Sequence, residues 1–203
     1  MKATTFNLDD AIKRSREDWL LRAVKELEAA VLRPAGFHAP SHVWASVGFP
    51  RGSRGKAKAI GQCWPRISSA DKTGHIFISP VLTDSSRVLD VLLHELGHDV
   101  VGCEHGHKKP FADFAKQVGL VKPWTATTAG EELGKTLALI VEVLGPYPHS
   151  ALADIGAGKK QTTRMRLYQC PVCEQKVRAA TDTLSIQCIE DGVTFEGPIE
   201  KGN

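Results

Sequence analysis

The pentapeptide His94-Glu95-Leu96-Gly97-His98 lies inside an apolar-periodic run from Val88 to Val101. Thr83-Asp84-Ser85-Ser86 supplies N-cap residues ahead of that run, so the segment is predicted to be a helix. Residues four apart on a helix project from one face, at the spacing that two imidazoles need to bind one metal ion. We therefore expect His94 and His98 to be metal ligands.

Glu95 lies beside the two histidines in this HExxH pattern, which is typical of zinc sites. Zinc lowers the pKa of a water molecule that it binds towards 7, so a neighbouring carboxylate can take a proton from that water during attack on a carbonyl. The motif therefore predicts a zinc metalloendopeptidase with Glu95 as the general base. A helix that merely carries two surface histidines is the alternative.

A catalytic zinc ion needs a third protein ligand, and the chain offers several downstream. The metzincin pattern would place a histidine at position 104, where Glu104 stands. The remaining candidates are Cys103, Glu104, His105, His107 and the more distant Glu131 or Glu132. A ligand at Glu131 or Glu132 would make the protein a gluzincin.

The segment Cys103-Glu104-His105-Gly106-His107-Lys108-Lys109-Pro110-Phe111 resembles the one that follows HExxH in SprT-like metallopeptidases. In that family a histidine followed four residues later by an aromatic supplies the third ligand, so the resemblance implies that His107 binds the catalytic zinc. It is closest to bacterial and phage-encoded members, in which a zinc ribbon often follows the protease domain. The Spartan-type relatives cleave proteins crosslinked to DNA, so the resemblance also implies a DNA-associated protein substrate.

The rest of the chain predicts a mixed α+β fold. Helical periodicity covers Leu8–Leu32, Phe111–Val118 and Glu131–Leu144, and short strands are expected at His42–Gly48, Ala59–Trp64 and His75–Ser79. With the resemblance, this layout predicts a zincin-like metallopeptidase domain over residues 1–150, a basic linker over 151–165 and a small zinc-ribbon-like module over 166–195.

The C-terminal module contains one complete zinc knuckle and one altered one. Cys170-Pro171-Val172-Cys173 places two thiolates on a tight turn, and Cys188-Ile189-Glu190-Asp191-Gly192 repeats the form with Asp191 in place of a cysteine. A carboxylate can complete a zinc shell, so a structural zinc on Cys170, Cys173, Cys188 and Asp191 is expected. Two strands are expected between the knuckles, at Val177–Ala179 and Thr183–Ile186. The alternative is a ribbon without metal.

The net charge of +3 is too small to indicate a nucleic-acid-binding protein, but the cations are clustered. One cluster comprises Lys159, Lys160, Arg164, Arg166, Lys176 and Arg178, opposed by Glu174 alone, and the loop Arg51–Lys58 is also basic. These residues can neutralise phosphates of DNA, or can simply form a solvated linker.

Two other functions are compatible with these motifs. An ImmA/IrrE-type regulatory protease also uses HELGH, although that family lacks the His107-to-Phe111 pattern and the ribbon. A non-catalytic DNA-binding zinc protein is the other rival, although an intact Glu95 argues against it. Tyr147 and His149, which follow the fourth helix, are the candidates for a second polar group that would stabilise the oxyanion formed during peptide hydrolysis.

The cysteines and the apolar segments indicate the compartment. Five cysteines, three of them in the tail, do not form the framework of a secreted disulfide protein. No apolar signal segment follows Met1, and the longest apolar stretch, Leu137–Val141, is far too short to span a bilayer. A cytoplasmic protein without a membrane anchor is expected.

Overall fold

The computed structural model describes residues 15–50, 59–152 and 165–199, and the chain separates into two compact units, 1–155 and 156–203. The mixed α+β class expected from the sequence is confirmed. The larger unit begins with helix α1 (Arg16–Leu27), which continues as a π-helical turn over Glu28–Leu32. Ser15 caps α1, because its Oγ accepts a hydrogen bond from the Asp18 amide. The start of the predicted helix, residues 8–14, lies outside the described residues.

A three-stranded sheet follows, formed by β1 (Val43–Val47), β2 (Gly61–Trp64) and β3 (Gly74–Ile78). The strand order is β1-β3-β2, with β1 parallel and β2 antiparallel to the central strand β3. Strand β2 is therefore an edge strand of this sheet.

Three further helices complete the larger unit. Helix α2 (Ser85–Val101) is capped by Asp84, whose carboxylate accepts a hydrogen bond from the Arg87 amide. Helix α3 (Lys109–Gln117) follows a 3₁₀ turn at Cys103–His105. The two-residue strands β4 (Leu120–Val121) and β5 (Thr128–Ala129) form a small antiparallel pair ahead of helix α4 (Glu131–Leu144).

Helix α2 lies at the centre of the core and contacts the sheet and all three other helices. Its four leucines are completely buried, as are the two isoleucines of β3: Leu89, Leu92, Leu93, Leu96, Ile76 and Ile78. Burial of a leucine or isoleucine side chain contributes about 1.5–3 kcal/mol. The helix that carries the HExxH motif is thus also the main apolar element of the unit, which fixes the motif in place.

The smaller unit is a hairpin with two turns attached. Strand β6 (Arg166–Gln169) pairs with β7 (Lys176–Ala179), in antiparallel register. The prediction of a strand at Thr183–Ile186 is wrong, because within residues 165–199 this segment forms no strand. The other edge of β6 instead pairs with a later segment, where Gln169 lies opposite Glu196. A turn precedes the segment 183–186, in which Thr181 Oγ1 donates to the Thr183 carbonyl and accepts from the Thr183 amide. At its other end the Ile186 carbonyl accepts a hydrogen bond from the Phe195 amide.

Within the described residues, no helix is both long enough and apolar enough to cross a membrane.

Candidate metal centres

The three histidines predicted to bind zinc lie together in the larger unit. His94 Nε2 and His98 Nε2 are 3.1 and 3.2 Å from His107 Nε2, and the three ligand atoms lie within 4.8 Å of one another. Two nitrogens at 2.0–2.1 Å from one tetrahedral zinc ion would be about 3.3 Å apart. The cluster therefore fits a single metal ion.

The turn between α2 and α3 brings His107 to the helix. Gly102 ends α2 at φ 96°, and Gly106 follows the 3₁₀ turn at φ 51° and ψ −134°. Such backbone angles are readily available only to glycine. The chain reverses within a few residues as a result, so a side chain on the turn can reach the two on the helix.

Phe111 packs against all three imidazoles. Its ring stacks on His98 with centroids 4.4 Å apart, meets His107 edge-on at 5.1 Å and lies tilted against His94 at 4.7 Å. Gly97 makes room for this arrangement, because a Cβ at that position would collide with Phe114 beside Phe111. The orientation of the ligand rings is thus set by core packing.

Thr127 contacts the cluster from the loop before β5 and has no counterpart among the sequence predictions. Its Oγ1 lies 2.8 Å from His94 Nδ1, and both residues are buried. A hydrogen bond at Nδ1 directs Nε2 towards the metal, because a neutral imidazole carries a proton on only one nitrogen. The interval 120–129 carries no motif that would have indicated this contact.

Arg87 and Asp90 hold the Thr127 loop on helix α2. Arg87 Nη1 donates to the Thr127 carbonyl at 3.1 Å and forms an ion pair with Asp90. The other carboxylate oxygen of Asp90 is buried without a hydrogen-bond partner among the described residues, and burial raises the pKa of this group. The loop position therefore depends on a polar pair inside the helix–loop interface.

Glu95 is buried beside strand β2. A Cβ on Gly61 would lie 2.5 Å from Glu95 Oε1, and the Cys63 backbone amide donates a hydrogen bond to the carboxylate. Burial raises the pKa of Glu95 to about 8 in the metal-free site. This glycine in β2 is what allows the carboxylate to approach the strand.

Burial has the opposite effect on the histidines. It lowers the pKa of His94 to about 3 and of His98 to about 4, and it lowers the pKa of His107 as well. The imidazoles are therefore neutral at pH 7, which is the form that binds metal ions.

The three histidines and Glu95 line a cleft of about 450 Å³. One wall is the segment from Ala59 to Cys63, which includes most of β2, and another is the loop from Thr125 to Thr127. Neither Tyr147 nor His149 is among the described residues that line this cleft, so its lining gives no support to the hypothesis that they stabilise an oxyanion. Tyr147 instead packs against Trp19 and Arg16.

The other candidates for a third ligand are not part of the histidine cluster. Glu131 and Glu132 are exposed on the first turn of α4, where both form ion pairs with Lys135. His105 is near Glu104 and lies outside the histidine cluster. Cys103 contacts Cys63, with the two sulfur atoms 3.1 Å apart.

A second cluster, in the smaller unit, consists of Cys170, Cys173, Cys188 and Asp191, whose ligand atoms lie within 4.8 Å of one another. Cys173 Sγ and Cys188 Sγ are 3.5 Å apart. Asp191 Oδ2 lies 3.4 Å from Cys170 Sγ and 3.3 Å from Cys188 Sγ. Tetrahedral zinc would separate two sulfurs by about 3.8 Å and a sulfur from a carboxylate oxygen by about 3.6 Å. This cluster also fits one metal ion.

The two turns that carry this cluster have the same backbone structure. Glu174 N donates to Cys170 O and Cys170 N to Gln175 O, and the same pair of bonds links Gly192 to Cys188 and Cys188 to Val193. Glu174 adopts φ 60° where Gly192 has φ 66°. Asp191 therefore occupies the position equivalent to Cys173, and the first turn keeps its conformation without a glycine.

The cations predicted to contact DNA are only partly described. Lys159, Lys160 and Arg164, like the basic loop 51–58, lie outside the described residues. Lys176 and Arg178 are exposed on one face of β7, whereas Arg166 pairs with Ala179 on the opposite face and forms an ion pair with Asp182. The hairpin thus places two of the three described cations on one face.

No family model matches the chain, and no curated protein or solved structure matches it.

Proposed function

We propose that the protein is a zinc metalloendopeptidase whose larger unit is a zincin-like domain of the SprT type. The observation that carries this proposal is the convergence of three neutral imidazoles beside a buried carboxylate in one cleft. A purely structural zinc site has no use for an adjacent carboxylate that binds no ion, whereas peptide hydrolysis requires one.

His94, His98 and His107 would hold the zinc ion, which supplies a Lewis acid for a water molecule and for the scissile carbonyl. Glu95 would accept a proton from the attacking water and pass it to the leaving amine. A nearby cation favours the ionised carboxylate, so the pKa of about 8 in the metal-free site would fall towards a value suited to a base at neutral pH. The Cys63 amide would hold this carboxylate in place through both proton transfers.

Strand β2 supports a peptide as the substrate. It is an edge strand of the sheet and forms a wall of the cleft, next to Glu95. An extended peptide can add to such an edge through main-chain hydrogen bonds, which bind the substrate without requiring a particular side chain. We propose that the scissile peptide lies along β2.

For the smaller unit we propose a structural zinc ion on Cys170, Cys173, Cys188 and Asp191, in a ribbon-like module. The amide of Val172 donates to Cys170 Sγ, as expected if this sulfur is a thiolate. Lys176 and Arg178 on the exposed face of β7 support contact with a nucleic-acid backbone, and a DNA-associated protein substrate is the extension that the family resemblance adds.

The test combines metal content with cleavage. The full chain should contain two zinc ions by elemental mass spectrometry and should cleave an unstructured protein such as casein, with and without added DNA. Glu95→Gln should retain both zinc ions and lose cleavage, because the amide cannot accept the proton. Glu104→Gln, a change of the same kind at a nearby exposed position, should retain both zinc and activity.

Two outcomes would contradict the proposal. Cleavage that survives in Glu95→Gln would exclude Glu95 as the base. A wild-type chain with a filled histidine site that cleaves no protein, with or without DNA, would leave the non-catalytic zinc protein as the explanation.

A further inference from the structure

Two cysteines that are far apart in sequence meet beside the histidine cluster. Cys63 lies on β2 and Cys103 begins the 3₁₀ turn after α2, yet their Sγ atoms are only 3.1 Å apart. Both residues are half-buried and both line the cleft that contains Glu95. The proposed reaction uses neither thiol.

Each cysteine belongs to an element that positions a group of the site. The Cys63 amide donates a hydrogen bond to the Glu95 carboxylate. Cys103 begins the turn that leads through Gly106 to His107. A covalent bond between the two sulfurs would therefore connect the strand that holds the base to the turn that holds the third histidine.

We propose that Cys63 and Cys103 are a reversible redox site, which small-molecule disulfides such as oxidised glutathione convert to an intramolecular disulfide. A disulfide has an S–S distance of about 2.05 Å, so the two sulfurs need to approach each other by roughly 1 Å. The turn at Cys103–His105, which is short and flanked by two glycines, can supply that movement.

The reaction proceeds by two thiol–disulfide exchanges. The Cys103 thiolate attacks one sulfur of oxidised glutathione, which forms a mixed disulfide and releases one glutathione thiolate. Cys63 then loses its proton and attacks the Cys103 sulfur, which releases the second glutathione. The protein gives up two electrons and two protons, and one oxidised glutathione becomes two reduced molecules.

The contact between the two thiols favours one order of these steps. It lowers the pKa of Cys103 and raises the pKa of Cys63. The thiolate is the nucleophile in such exchanges, so Cys103 attacks first and Cys63 resolves the mixed disulfide.

Oxidation should slow peptide hydrolysis, an effect that rests on the proposed function. A shift of about 1 Å between groups that must be aligned can cost on the order of 100-fold in rate. The disulfide would move the turn that leads to His107, relative to Glu95 and strand β2, by a distance of that order. We expect the oxidised protein to have a greatly lowered kcat.

The experiment uses the zinc-loaded full chain in glutathione buffers of stepped composition. After acid quenching, free thiols are alkylated in denaturant with a chelator and the protein is digested for mass spectrometry. Oxidised protein should contain a peptide in which Cys63 is linked to Cys103, and reduced glutathione should remove the link. Cys63→Ser should instead accumulate glutathione on Cys103, because the resolving thiol is missing.

The outcomes separate the redox site from the proposed function. Absence of the Cys63–Cys103 link in folded, zinc-loaded protein, or links only among the tail cysteines, would overturn the redox site. A link that forms in a chain without protease activity would retain the redox site and reject the proposed function. Protease activity that is the same in the reduced and the linked protein would overturn the control of hydrolysis, and Cys103→Ser should be insensitive to oxidised glutathione.

Discussion

The histidine cluster lies on a helix and a turn that are embedded in a large apolar core, whereas the cysteine cluster lies on two turns with almost no core around them. In the larger unit the ligand rings pack on Phe111, and α2 is buried along most of its length. In the smaller unit the buried apolar side chains are Tyr168, Cys170 and Cys188, within residues 165–199. The first fold can position its ligands before a metal binds, while we expect the second to depend on a bound metal for its stability.

Metal removal should therefore unfold the smaller unit and leave the larger unit folded, and this is the largest effect expected. A chelator should unfold residues 165–199, because a structural zinc site contributes about 10–16 kcal/mol of apparent binding energy and the small unit has little else. Residues 15–152 should stay folded. Hydrogen exchange measured by mass spectrometry, with and without chelator, distinguishes the units.

Equal loss of protection in both units would contradict the difference between them. Cys173→Ser is the matched control, since it should reproduce the unfolding of the tail in zinc-containing buffer and leave the exchange of α2 unchanged.

Thr127→Val tests how far the histidine cluster is fixed by its surroundings. The valine keeps the shape but removes the hydroxyl that binds His94 Nδ1. Loss of such an outer contact typically lowers metal affinity by about 10–100-fold. Competition with a zinc-binding dye would measure the affinity of the histidine site.

Thr127→Ser should restore the affinity, because it keeps the hydroxyl. A valine variant with unchanged zinc affinity and unchanged pH dependence of zinc binding would show that the Thr127 contact has no role in orienting His94.

The pH dependence of stability should also be confined to the larger unit in metal-free protein. The pKa values of His94 and His98 are lowered to about 3 and 4, so the unfolded chain binds more protons than the folded one below pH 6.5, and stability falls as the pH falls. The pKa of Glu95 is raised from 4.5 to about 8, so this group lowers stability as the pH rises from about 4.5 to 8. Its effect exceeds that of the two histidines only above about pH 6.5. Each proton contributes about 1.4 kcal/mol per pH unit.

Urea unfolding of the chelator-treated protein at pH 5, 6.5 and 8 should thus show a maximum near 6.5. Glu95→Gln should abolish the decline above 6.5 and steepen the decline below it, because the neutral Glu95 no longer offsets one of the two histidines. A decline that persists in this variant would assign it to another group.

Glu174→Gly gives the smallest effect and concerns the smaller unit. A non-glycine residue in the left-handed region costs roughly 1–2 kcal/mol, and Glu174 has φ 60°. The glycine variant should therefore stabilise the zinc-loaded tail by about 1 kcal/mol, after the greater flexibility of glycine in the unfolded chain is subtracted. Gln175→Gly, one residue further on, should destabilise it, as thermal unfolding would show.

Much of the fold follows from periodicity and punctuation in the sequence. Helix α4 spans Glu131–Leu144 as predicted, because apolar periodicity continues to the stop at Gly145-Pro146. The strand predicted at Thr183–Ile186 does not form, and the reason is physical: whether a short extended segment becomes a strand depends on which sheet edge the neighbouring turns bring next to it, which the sequence does not show.

The candidate site was likewise predictable only in part. Local spacing predicted that His94, Glu95 and His98 belong to it, and the family resemblance predicted His107. Thr127 and the contact between Cys63 and Cys103 were not predictable, since each joins segments whose proximity is decided only by packing. The equivalence of Asp191 and Cys173 was predicted from spacing, but the left-handed Glu174 was not, because glutamate rarely adopts that conformation.

Phe111 packs both in the apolar core and against the three imidazoles, and this double packing has a consequence for the rate of metal release. Any fluctuation that lifts α3 from α2 withdraws the phenyl ring from all three ligand rings together. Release of the metal and detachment of that helix should then be one cooperative event with a common activation barrier. The dissociation rate of the ion from the larger unit would in that case report the local opening of the helix pair, so that a conservative change in the core, far from any ligand atom, would shorten the residence time of the metal.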